Sequence, residues 1–194
     1  MALPENELRQ IRGKDIGYVF QDPVSSLNPV ISIGDQISEA FLAHFSASRA
    51  EAAKRAKDFL AAVKIKDVDR VFHSFPHELS GGMNQRAMIA MVLIGNPKLL
   101  IADEPTTALD VSVEAEILRL LLEVQKEKTL SLLFITHNLG LAAAHAETIF
   151  VMQKGCVVEH LKKQNGRFEL KENYTKKLFH AGLYASQPKS FINV

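Results

Sequence analysis

Leu99 to Glu104 read LLIADE. An unbroken apolar run of this kind suits a strand covered on both faces, the usual setting of a parallel sheet. The run ends in two adjacent carboxylates, Asp103 and Glu104. In open α/β sheets, ligands sit outside the carboxyl ends of the strands. One carboxylate there can hold Mg²⁺ through its water shell, and the next can polarise a water that attacks a phosphoryl group. Read alone, the pair serves equally well as the start of a surface loop.

Other residues can be set against that strand end. Upstream, Leu79 to Met83 (LSGGM) stand before a helix expected over Met83–Ile94, closed by Gly95 and stopped by Pro97. Ser80, Gly81 and Gly82 at a helix N-terminus make an anion site, because the first amides are unpaired there and glycine lets a phosphate approach the backbone. The same residues also read as an ordinary serine cap with a flexible turn. Gln21 ends a strand expected within Asp15–Gln21 (DIGYVFQ). Its amide can touch both Mg²⁺ and the attacking water, or simply terminate a strand. Asp110, in Ala108-Leu109-Asp110, suits the N-cap of the next helix. His137 follows an apolar strand expected over Leu130–Thr136. If that strand lies parallel to LLIA, His137 shares the carboxylates' edge and can hydrogen-bond a terminal phosphate; a loop histidine is otherwise structural or solvated.

The remaining pattern is α/β. Pro4 to Gly13 suit a short helix with a glycine end, and Ile33 to Val63 two helices, the second capped by Ser48. Val113 to Lys128 form an amphipathic helix. Thr148 to Met152 read as a third buried strand, after which Lys154-Gly155 turn the chain toward Cys156–Glu159. Strand–helix alternation predicts a parallel sheet, interrupted by a helical lobe. Hydrophobic residues make up 47% and charged residues 23% of the 194, as in a globular domain. The net charge of +1 does not single out nucleic acid as a partner. One cysteine, Cys156, rules out a disulfide framework or a cysteine metal site. Met1 to Glu7 hold no apolar run, and no stretch approaches the ~20 apolar residues that span a bilayer. Work at a membrane would need other chains to cross it. The basic stretch after His160 reads as a solvated tail.

The joint order decides among the local alternatives. Gln21, Leu79–Met83, Asp103-Glu104, Ala108–Asp110 and His137 follow the order of the Q-loop, signature motif, Walker B, D-loop and H-loop of ABC ATPases. The sequence resembles in particular the oligopeptide, dipeptide and nickel importer ATPases. FQDPVSSLNP at Phe20–Pro29, FPHELSGGMNQRAMIAM at Phe75–Met91 and LLIADEPTTALDVSV at Leu99–Val113 carry the likeness, with FITHNL at Phe134–Leu139 and YTKKL at Tyr174–Leu178. The resemblance implies an α/β, P-loop NTPase-like sheet with an inserted helical subdomain at about 33–95, an ATPase part over 1–160 and a C-terminal extension over 161–194. It implies ATP and Mg²⁺ as cofactors. Asp103 and Gln21 would serve the metal, with Glu104 as general base and His137 at the γ-phosphate. Ser80, Gly81, Gly82 and Asp110 would face the nucleotide of a second ATPase subunit. A membrane permease would be the other partner, with the protein peripheral on the cytoplasmic face and no nucleic acid involved.

The sequence departs from that pattern in its phosphate loop. No G-x-x-x-x-G-K-[ST] occurs; Gly13-Lys14 lacks the earlier glycine and is followed by Asp15. Met1 is therefore expected to fall inside the family domain, as in a truncated reading frame or a late start. The chain alone is expected to bind ATP poorly, to hydrolyse it at background rate, and to expose sheet edges and an apolar face. Asn84 also departs from the usual pattern, as do Leu161–Phe168 and Glu172-Asn173 before YTKKL. The competing readings are a non-catalytic module that pairs with a permease or an intact ATPase, and an ABC ATPase without a transport role. The SSLNP-bearing helical lobe counts against the latter.

Overall fold

The computed structural model describes residues 3–106, 110–183 and 192–193. The chain divides into two compact units, Met1–Ile135 and Thr136–Val194.

In the first unit, a short helix α1 (Glu5–Ile11) leads to β1 (Ile16–Val19), with Gly13 at φ +79° in the connecting turn. A helical series follows: α2 (Pro23–Ser26), α3 (Ile33–Leu42), α4 (Arg49–Ala62), α5 (Val68–His73), a 3₁₀ turn (Pro76–Glu78) and α6 (Gly81–Leu93). The chain then forms β2 (Leu99–Asp103), α7 (Val111–Lys128) and β3 (Ser131–Ile135). The helix starts are chemically marked. Ser32, Ser48, Asp67 and Ser80 each accept a backbone N–H of the first turn.

The three strands form one parallel sheet in the order β1–β2–β3. Ile16 pairs with Leu99, Tyr18 with Ile101, and Asp103 with Ile135. Since β1 and β2 are neighbours, the whole run from α2 to α6 is an insertion between adjacent strands. A continuous core joins the two parts: Val19, Leu100 and Ala102 of the sheet pack with Met88, Ile89 and Leu93 of α6 and Ile117 and Leu121 of α7. Each such fully buried aliphatic side chain contributes about 1.5–3 kcal/mol.

Two glycines admit the close packing of α6 against β1. A Cβ on Gly17 would overlap Val92, and one on Gly95 would overlap the carbonyl oxygen of Gly13. Gly95 is thus not the left-handed helix stop expected of it. That conformation falls to Asn96 at φ +55°, while Gly95 is held by close backbone approach.

The sheet is not covered on both faces as the apolar runs suggested. Leu100 and Ala102 are buried, but Leu133 and Ile135, on the other face, are 46% and 43% exposed. An apolar run cannot distinguish two covered faces from one.

The second unit holds α8 (Leu139–His145), β4 (Thr148–Gln153), β5 (Cys156–Lys162), β6 (Phe168–Glu169), α9 (Asn173–Leu183) and β7 (Ile192–Asn193). Here the expectation for Thr148–Met152 fails. The strand is not a third member of the parallel sheet; β4 pairs antiparallel with β5, and Phe150 and Met152 stand exposed. The Lys154-Gly155 turn is as expected, with both residues at positive φ. A small core of Ala143, Val151, Leu161, Phe168, Leu170 and Phe179 closes this unit.

Candidate functional site

The end of β2 is where the acidic residues meet their neighbours. Side chains two residues apart on a strand share a face. Tyr18 lies opposite Ile101, so its ring lies on the face of Asp103 and reaches along it. Its hydroxyl donates to Asp103 Oδ2 at 2.6 Å. That bond to a carboxylate is the main reason the Tyr18 hydroxyl titrates above the usual tyrosine range, with burial and the Asp103 charge adding to it.

Glu104 follows at φ +43°, a left-handed conformation that costs a non-glycine residue about 1–2 kcal/mol. Its N–H continues the ladder to the Ile135 carbonyl at 3.0 Å. The side chain accepts from Gln21 Nε2 at 3.2 Å. Three of the expected residues therefore converge: Gln21 from the end of β1, and Asp103 and Glu104 from the end of β2.

The loop after Gln21 is held from behind. Buried Gln36 of α3 accepts the Asn28 N–H at 2.8 Å and donates to the carbonyls of Asn28 and Ile31. The Ser25 and Ser26 hydroxyls donate to the Asp22 carbonyl. Ser25, Ser26 and Asn28 thus tie down the segment following Gln21.

Ser80 is the N-cap of α6, and its hydroxyl accepts the Met83 N–H at 3.4 Å. Gly81 and Gly82 form the first helical turn. A Cβ on Gly82 would lie 2.8 Å from Val113 of α7, so the turn packs against the start of that helix. Asp110 occupies the N-cap position of α7 but makes no side-chain cap bond; its carbonyl accepts the Glu114 N–H. The cap expected of its carboxylate is therefore absent among the described residues. Thr106 donates to Glu114 at 3.0 Å, tying the segment after Glu104 to α7. Ala108 and Leu109 lie outside the described residues.

His137 belongs to the second unit. It is exposed, in a bend between β3 and α8, two residues beyond Ile135, and the following Asn138 caps α8.

The oxygens at the strand ends suit a hard cation. With Tyr18 on Oδ2, Asp103 Oδ1 makes no hydrogen bond among the described residues, and Gln21 Oε1 likewise. Carboxylate and amide oxygens are ligands for Mg²⁺, which is commonly held by one or two carboxylates plus substrate phosphates. Among the described residues no cluster of three or more His, Cys, Asp or Glu side chains could hold a metal alone, so phosphate oxygens would have to complete the shell.

Sequence reasoning missed Tyr18 and Gln36. Tyr18 becomes visible only when the β1–β2 register places it beside Asp103. Gln36 looks like any polar helical residue until its burial is known.

A parallel sheet with helices inserted between two of its strands, and acids at the carboxyl edge, defines an α/β, P-loop NTPase-like architecture. Residues 3–107 match the profile of the ABC transporter family. The chain belongs to that family. It is 54% identical over 158 residues to a Brucella melitensis protein provisionally named a peptide import ATP-binding protein, covering 81% of this chain and 47% of that one. It is 46% identical over 188 residues to the oligopeptide transport ATP-binding protein OppD of Bacillus subtilis, covering 97% and 51%. The chain thus spans about half the length of the curated relatives it matches. Among solved structures, the ATP-binding cassette MJ0796, a dimer bound to ADP and Pi, superposes with a TM-score of 0.73 at 30% identity. That match covers 84% of this chain and 69% of the other.

Proposed function

We propose that this chain is part of the ATP-driven subunit of a peptide-class ABC importer. The observation that carries the reading is the meeting of Gln21, Asp103 and Glu104 at the carboxyl edge of the parallel sheet. Relatives named for peptide and oligopeptide transport support the substrate class.

In this reading Asp103 presents Oδ1 to Mg²⁺, and Gln21 contributes its amide oxygen. The cation, when bound, neutralises charge on the phosphates of ATP. Glu104 accepts the proton of the attacking water, and Gln21 orients its carboxylate from the side. His137 contacts the γ-phosphate. Ser80, Gly81 and Gly82, with the first amides of α6, clasp the triphosphate held by a second subunit, with Asp110 beside them. The loop after Gln21 and the helices α3–α6 connect this edge to a membrane permease. The work is then done at the cytoplasmic face, peripherally, and without nucleic acid. Among the described residues no helix is long and apolar enough to cross a membrane. The ATPase part is 1–160, its helical subdomain about 33–95, and 161–194 an extension.

The sequence contains no G-x-x-x-x-G-K-[ST] loop to cradle the phosphates. The 194-residue chain by itself is therefore expected to hydrolyse ATP at background rate. A steady-state phosphate-release assay checks this; turnover of about 1 s⁻¹ or more, within the ordinary enzyme range, would contradict it. Binding to vesicles that carry a peptide-class permease, but not to vesicles without it, tests the partner assignment. Permease binding with no contribution from Ser80 or Glu104 to ATP-dependent behaviour would favour a non-catalytic docking module.

A further inference from the structure

We propose that Gln85 is a positioning residue of the carboxyl edge: its buried amide lies beneath Gln21 and Glu104 and hydrogen-bonds the end of β1 once a nucleotide is clasped at the start of α6. This rests on the assignment of Ser80, Gly81 and Gly82 to a second subunit's nucleotide made under Proposed function.

Gln85 is 1% exposed, and among the described residues neither its Nε2 nor its Oε1 has a hydrogen-bond partner. Buried polar groups are nearly always paired, because an orphaned amide loses its bonds to water without replacement. The neighbouring Asn84 is comparably buried but donates to the Pro76 carbonyl at 2.9 Å. No such bond holds Gln85. A residue kept solely for packing would be apolar here, like Met88, Ile89 and Leu93 further along α6.

Its place follows from the contacts of α6. Val92 meets Gly17 of β1, and Gly95 meets the Gly13 carbonyl just before that strand, so α6 runs back along β1 from the strand's carboxyl end. Gln85 stands two turns before Val92 on nearly the same face. Two turns are about 11 Å, or about three strand residues. Gln85 thus comes level with Phe20 and Gln21, on the buried face that carries Val19 and Ala102. One turn in front of it, Gly82 packs against Val113 of α7. The amide therefore sits between the clasp at the helix start and the Gln21–Glu104 pair. Clasping a nucleotide orders the first turn of α6, and the amide one turn behind it can then donate to and accept from the chain around Gln21.

The test uses the 194-residue chain, alone and mixed with an intact, hydrolysis-deficient ATPase subunit of the peptide-import class. Gln85→Met keeps the length and helix preference and removes the amide; Gln85→Leu is a second apolar variant. Alone, both variants should unfold at urea about 0.5–1 M higher than the wild type, since an orphaned buried amide is gone. In the mixture, sedimentation velocity should show the ATP-dependent complex about tenfold weaker, the worth of one or two buried hydrogen bonds. In the isotope-labelled chain at saturating partner, the Gln21 side-chain amide NMR signal should move when ATP joins the wild-type mixture and stay in place with Gln85→Met. A urea midpoint at or below the wild type for both variants would show that the amide already has a partner in the free chain, and would overturn the inference. So would wild-type complex strength, or an equal Gln21 shift, where Ser80→Arg abolishes the complex; the clasp would then stand without Gln85. If the wild-type chain forms no ATP-dependent complex, the clasp assignment fails and takes this inference with it.

Discussion

Arg86 joins three helices of the first unit, and its replacement by methionine gives a graded prediction. Nη1 donates to the Val63 carbonyl at 2.9 Å, and Nη2 to Glu116 at 2.7 Å. The Arg86 side chain is 13% exposed, whereas that of Glu116 is 59% exposed. The two bonds should therefore differ in worth. Val63 closes α4, where helix carbonyls lack intrahelical partners and a nearby cation is favourable. A bond from a charged donor to such a carbonyl is worth about 1.5–3 kcal/mol. The pair with exposed Glu116 is worth about 0.2–1 kcal/mol. Arg86→Met should then cost about 2–4 kcal/mol in sum and Glu116→Gln less than about 1. With a urea slope of about 2 kcal/mol/M, the middle of the usual range, the Arg86 variant should unfold about 1–2 M earlier at unchanged slope. Urea unfolding followed by far-UV circular dichroism measures both, and the double variant gives their coupling. Equal losses for the two single variants would show that the carbonyl bond does not anchor α6, and the reasoning would fail.

Three further outcomes follow from local contacts. Gly17→Ala should cost about 1–3 kcal/mol, because its Cβ overlaps Val92, and Val92→Ala in the same chain should recover part of the loss; no recovery would point to another cause. Lys98 holds the Asp15 carboxyl below the usual aspartate range, first through their 2.8 Å hydrogen-bonded pair and then through its charge. A depressed carboxyl stabilises the fold above its ordinary pKa and loses that contribution as pH falls through the folded value. Lys98→Met should therefore raise the Asp15 midpoint in a carboxyl NMR titration, with little change in stability for so exposed a pair; an unmoved midpoint would refute the cause given. Leu133→Lys on the open face of β3 should lower dye binding to exposed apolar surface and raise the aggregation threshold, measured by light scattering against concentration.

The comparison of sequence and structure divides along the range of the signals. Local ones read well. Ser48 caps α4, the glycine pair opens α6 behind Ser80, and Lys154-Gly155 turn a hairpin. The LLIA run is the central strand, and Glu104 at its end accepts a hydrogen bond from Gln21. What failed depended on partners distant in sequence. The apolar residues of Thr148–Met152 mark a strand but not its neighbour, and β4 pairs with β5 outside the parallel sheet. Leu133 and Ile135 look like core until the open face is seen. Gly95 resembles a helix stop, yet its reason is the Gly13 carbonyl more than eighty residues away in the chain. Tyr18 had no signal of its own, since only register brings it to Asp103.

The central claim is that this chain offers a nucleotide-facing edge to a second ATPase subunit. Sedimentation velocity of the chain mixed with an intact, hydrolysis-deficient ATPase subunit of the peptide-import class tests it most directly. The account predicts a complex that forms with ATP, weakens with ADP, and is lost when Ser80→Arg blocks the turn at the start of α6. Association that ignores the nucleotide, or survives Ser80→Arg unchanged, would contradict it.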